Sequence, residues 1–140
     1  MEQIIKNQPD WDDTINNNFS KFSHSEFSDN VIYLNGAKKD ANLPLYYRYY
    51  NVGEFKIYTV QGYIGIPDLA AGQQIDVFNI PAITKKVRYL NVQTMDPSDT
   101  KALLDREEAP NGTFFVLNRS SNPIKDWYPR YSMLIICDND

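Results

Sequence analysis

Two β-rich runs joined by a turn, Phe55 to Ile66 and Gln73 to Ile80, constrain this chain more than any other feature. The first reads FKIYTVQGYIGI, dense in the residues that fit a pleated, half-buried surface. Alternation puts Phe55, Ile57 and Tyr63 on one face and Tyr58, Val60, Ile64 and Ile66 on the other. Gly62 and Gly65 interrupt the run, which signals a bulge or a close backbone approach. Pro67-Asp68 and Ala71-Gly72 mark the connection. The second run sets Ile75 and Val77 against Phe78 and Ile80. Strands apolar on both faces do not suit a lone sandwich with a wet exterior, so the second faces call for a cover.

Further strands are expected at Val31 to Leu34, Leu45 to Tyr50, Val87 to Met95, Thr113 to Leu117 and Tyr131 to Cys137. The last, YSMLIIC, is expected to be buried on both faces. Asp96 to Pro110 reads as an acidic loop with a helical turn at Lys101 to Arg106. Near the N-terminus, Asp10 suits an N-cap and Trp11, Ile15, Phe19 and Phe22 form one helical stripe. Asn16, Asn17 and Asn18 weaken that helix alone, so it needs a partner surface or copies of itself. The expected fold is therefore mainly β: an antiparallel β-sandwich or barrel over residues 29–140, preceded by a short helical segment over 1–28.

Composition narrows the function. The formal charge is −4 and no basic patch is visible, which argues against nucleic acid as a partner. No stretch has the apolar length of a membrane span, and the N-terminus lacks a signal-peptide core, so synthesis in a cytoplasm is expected. The single cysteine, Cys137, lies in an apolar run and reads as a buried inert thiol. The single histidine, His24, reads as a surface residue in a Ser-rich exit from the helix, outside the β domain. No phosphate-binding glycine loop is present, and no metal or cofactor is expected. Asp96, Asp99, Asp105, Glu107 and Glu108 could in principle serve as paired acids on a glycoside, but such clusters are usually solvated loops. The chain is read as non-enzymatic.

The most site-like stretch is Asp126-Trp127-Tyr128-Pro129-Arg130. Trp127 and Tyr128 offer flat apolar faces for a sugar ring, and Asp126 and Arg130 can accept from and donate to hydroxyls. Equally, Trp127 could anchor the loop in the core while Asp126 and Arg130 pair on the surface. The LYYRYY run is the second candidate, with Tyr47 and Tyr49 as saccharide contacts.

Trp11, Ile15, Asn16, Asn18 and Phe19 form a W-x-x-x-I-N-x-N-F segment. It is similar to the segment that opens many phage tail-fibre and baseplate proteins. The stretches NVIYLNG, YTVQGYIGI, IDVFNIPA and PNGTFFVL, with the closing apolar strand, resemble receptor-binding head domains of phages infecting Gram-positive bacteria. The resemblance implies a virion protein whose N-terminal helix joins the tail and whose β head trimerises. It also implies other tail or baseplate proteins and a host cell-surface saccharide as partners. A structural tail component without sugar affinity, a cell-encoded carbohydrate-binding module and a polysaccharide depolymerase are the alternatives.

Overall fold

The computed structural model describes residues 22–94, 102–107 and 112–139. The described chain is mainly β, in two antiparallel sheets that do not close into a barrel. Ten strands follow in order: β1 (Phe22–His24), β2 (Ile32–Tyr33), β3 (Lys38–Lys39), β4 (Tyr46–Val52), β5 (Phe55–Gly65), β6 (Gln74–Asn79), β7 (Val87–Thr94), β8 (Ala102–Arg106), β9 (Thr113–Asn118) and β10 (Arg130–Asp138). The larger sheet has the order β1-β4-β5-β10-β7, with β3 pairing the far end of β5. The smaller has the order β2-β6-β9-β8.

The runs Phe55 to Ile66 and Gln73 to Ile80 form β5 and β6. Alternation along β5 holds: Tyr58, Val60, Ile64 and Ile66 are buried, while Phe55, Gln61 and Tyr63 face away from the core. In β6 the pairing with β9 slips between Asp76 and Phe78, so Val77 and Phe78 are both buried instead of facing opposite ways. Phe78 then stacks on Phe114 of β9 at 4.8 Å between centroids. One core cluster joins these residues to Leu45, just before β4, and to Tyr131, Met133, Ile135 and Cys137 of β10. Cys137 is a buried free thiol.

Four expectations are corrected here. Residues 102–106 form strand β8, not a helical turn, because pairing along β9 overrides the helix-favouring composition of ALLDR. Phe22, expected as the last residue of the helical stripe, opens β1 and pairs with Val52. His24 belongs to the same strand, opposite Tyr50, and is part of the sheet. β10 is buried on one face only: Tyr131, Met133, Ile135 and Cys137 point inward, whereas Leu134 is exposed and Ser132 and Ile136 are half-buried. Trp11, Ile15 and Phe19 lie outside the described residues.

The outer face of the larger sheet is divided. Paired positions share a face, so Phe22, Val52 and Phe55 line up at one end, beside Tyr50, Ile57, Ile136 and Tyr89. Phe22, Tyr50, Val52, Phe55, Tyr89 and Leu134 are all exposed large hydrophobics. Arg88 and Asp138 form a bidentate pair at 2.9 Å at this end, and the Arg88 hydrogen bond holds the Asp138 carboxyl below the usual range. Further along the same face the side chains turn polar: Thr59, Gln61, Ser132, Asn91 and Gln93.

Candidate functional site

The 126–130 stretch runs into β10 with strand-like alternation. Trp127 bridges to Ile66 and turns inward, 9% exposed, with its ring edge-on to Tyr131 at 6.4 Å. Tyr128 turns outward and is 51% exposed. Trp127 takes the anchoring role, but the Asp126–Arg130 pair of that reading does not form, since Arg130 lies over Tyr63; the exposed ring of the stretch is that of Tyr128. Asp126 sits at φ 51°, the turn conformation that Asp tolerates better than most residues. Its backbone N–H donates to Asp68 Oδ1 at 3.4 Å.

Gly65 explains the position of the Tyr128 ring. A Cβ at Gly65 would lie 2.6 Å from Tyr128 Cζ, so the ring rests directly on the bare backbone of β5. Of the two readings of the glycine signal in GYIG, a bulge or a close approach, Gly65 shows the close approach. Beside the ring lies a cavity of about 360 Å³, bordered by Lys38, Gly65, Asp68, Asp126, Trp127 and Tyr128. Lys38 comes from β3, which pairs with Gly65. Asp68 comes from the β5–β6 connection, whose Leu69 exchanges backbone hydrogen bonds with Ile124 at 2.9 Å. Three distant segments thus meet at one end of the larger sheet.

Arg130 is the next outward residue after Tyr128. Its guanidinium lies 5.7 Å from the Tyr63 ring centroid, within cation–π range. Tyr47 and Tyr49 do not join this site. Tyr47 is 4% exposed, and the Tyr47 and Tyr49 rings lie 6.0 and 5.4 Å from that of Tyr58. The register with β5 turns these two toward the core side and leaves Tyr46 and Tyr50 on the outer face. Lys38 in a polar loop and Asp68 in a turn give no sign in the sequence of a place at this site, because only tertiary pairing brings them to Tyr128.

The acid candidates are scattered. Asp96, Asp99 and Glu108 lie outside the described residues. Asp105 is in β8, and a hydrogen bond to Asp76 raises the pKa of the Glu107 carboxyl. Among the described residues no group of three or more His, Cys, Asp or Glu side chains could hold a metal, and no helix is long and apolar enough to cross a membrane. Comparison with known proteins returned no matching family model, no matching curated protein and no matching solved structure.

The site combines an aromatic face with hydrogen-bonding groups of both kinds. The exposed face of Tyr128 offers an apolar plane for the C–H side of a sugar ring. Asp68 and Asp126 accept from hydroxyls and Lys38 donates to them. Two carboxylates against one ammonium leave the cavity with a slight negative balance, which favours neutral over anionic ligands.

Proposed function

We propose that this chain is a non-enzymatic adhesion protein of a phage tail or baseplate that binds a host cell-wall saccharide. The observation that carries the saccharide reading is the exposed Tyr128 ring laid over Gly65 at the mouth of a cavity with polar groups from three segments. The W-x-x-x-I-N-x-N-F segment at Trp11 to Phe19 supports the tail assignment. The full chain, tested against wall polysaccharides from a panel of Gram-positive bacteria, is expected to bind at least one of them. Tyr128→Ala should weaken that binding about tenfold or more, the scale of one lost stacking contact. Gly65→Ala should do the same by displacing the ring, with the β fold retained by circular dichroism. Absence of binding to every polysaccharide, or full affinity in Tyr128→Ala, overturns the reading.

The exposed apolar end of the larger sheet supports self-association, since contiguous apolar patches of this kind mark protein contacts, and the resemblance to trimeric tail heads supplies the number three. Light scattering on a sizing column should give three times the chain mass for the full chain. Tyr89→Asp combined with Phe55→Asp should shift it toward the monomer. A monomeric wild-type chain at micromolar concentration would sink the assembly reading. The same patch also favours a second reading, a structural tail component without sugar affinity, which a trimer that binds no polysaccharide would establish.

A further inference from the structure

We infer that the Tyr128 cavity is one end of an extended track for a neutral glycan chain, continuing across the sheet to the amide groove. The inference rests on the saccharide reading of that cavity and adds the length and charge class of the ligand.

The track follows from strand parity. Gly65, Tyr63, Gln61 and Thr59 alternate onto the outer face of β5. Tyr128 covers Gly65, and Arg130 stacks on Tyr63. Ser132 then stands opposite Gln61 on one side and Gln93 on the other. From Gly65 to Gln61 is four residues, about 13 Å along the strand. That is longer than a single sugar ring, and Tyr63 with Arg130 fills the interval.

The far end is a groove of about 320 Å³ bordered by Thr59, Gln61, Asn91, Gln93 and Ser132. None of these carries a charge, in a chain in which 23% of residues do. A solvated sheet face ordinarily mixes in Lys and Glu; a run of amides and hydroxyls suits a ligand that is itself uncharged and rich in hydroxyls. Each amide both donates and accepts, which matches a pair of adjacent sugar hydroxyls. Gln61 is oriented in advance, because Tyr46 Oη donates to its Oε1 at 3.1 Å and leaves the amide N–H groups for a ligand. Leu134, 38% exposed on this floor, gives the C–H face of a ring an apolar seat.

The test is a titration of the ¹⁵N-labelled full chain with di- and hexasaccharides of the cello, malto and chito series, followed by NMR. Side-chain amide signals of Gln61, Asn91 and Gln93 should shift with a hexasaccharide and stay in place with its disaccharide. The hexasaccharide should bind about tenfold or more tightly than the disaccharide. Gln61→Ala with Gln93→Ala should bring the hexasaccharide down to disaccharide affinity, and both positions are exposed, so the backbone spectrum should persist. Tyr128→Ala should weaken both lengths. Equal affinity for the two lengths, abolished by Tyr128→Ala and untouched by the double variant, overturns the track and leaves the cavity reading standing. No response to any of the six sugars overturns the track, and the wall-polysaccharide panel then decides the cavity reading.

Discussion

Gly62→Ala is expected to destabilise the fold by about 4 kcal/mol, at the upper end of single substitutions. Two effects combine. Gly62 has φ 137°, a backbone region that L side chains rarely adopt. Its Cβ would also overlap the Pro44 carbonyl oxygen, and that backbone is held in turn by Tyr63 N–H donating to Leu43 O at 2.9 Å. Gly53 separates the two causes. It has φ 61° and nothing near a built Cβ, so Gly53→Ala should cost only about 1 kcal/mol. Urea denaturation of both variants checks this; equal losses would show that the clash with Pro44 contributes nothing.

Asn118→Ala is the second large loss, at about 3 kcal/mol. Asn118 is fully buried, the one buried polar residue of the described core. Its Nδ2 donates to Ala70 O at 3.1 Å and Asn122 O at 2.9 Å. Its Oδ1 accepts from the Ser120 N–H at 2.9 Å and from the Ser120 hydroxyl at 2.8 Å. Alanine takes one donor from each of those carbonyls, leaving Ala70 O with the Gln73 N–H and Asn122 O with the Ser120 hydroxyl, strips the Ser120 N–H of its acceptor and opens a void in the core, so the network is loosened together. The melting temperature should drop by roughly 10 °C, and cleavage by a protease should move to residues 69–73 and 119–122. An unchanged midpoint would mean that water replaces the side chain at no cost.

The long strands were legible because hydrophobic period and turn residues agree over β5, β6, β7, β9 and β10. The short ones were not. β3 is two exposed lysines whose only reason to be a strand is the free edge at Gly65 and Ile64. β8 depends on β9, and β1 on β4, so neither shows in local pattern. Parity was the other limit. In YYRYY both alternate sets hold two tyrosines, and only Arg48, in the set of Tyr46 and Tyr50, hints which of them faces out; the register with β5 decides. At the 126–130 stretch, the pattern left open whether Trp127 anchors or stacks, and its burial decides for anchoring; of the two readings of Gly65, bulge or close approach, the Tyr128 ring shows the second. Lys38 and Asp68 could not be, since their place beside Tyr128 is set by contacts far along the chain.

The divided outer face has a mechanical consequence. The apolar end and the Tyr128 end lie at opposite ends of β5, whose ladder with β10 runs unbroken from Tyr63–Arg130 to Phe55–Asp138. An adhesin anchored at one end and gripping its host at the other would be pulled along these strands. Antiparallel ladder bonds stand perpendicular to the strands, so such a pull loads them in shear, all at once, instead of peeling them one by one. The geometry that sets the apolar end and the Tyr128 end at opposite ends of β5 is also the one in which a sheet resists tension best.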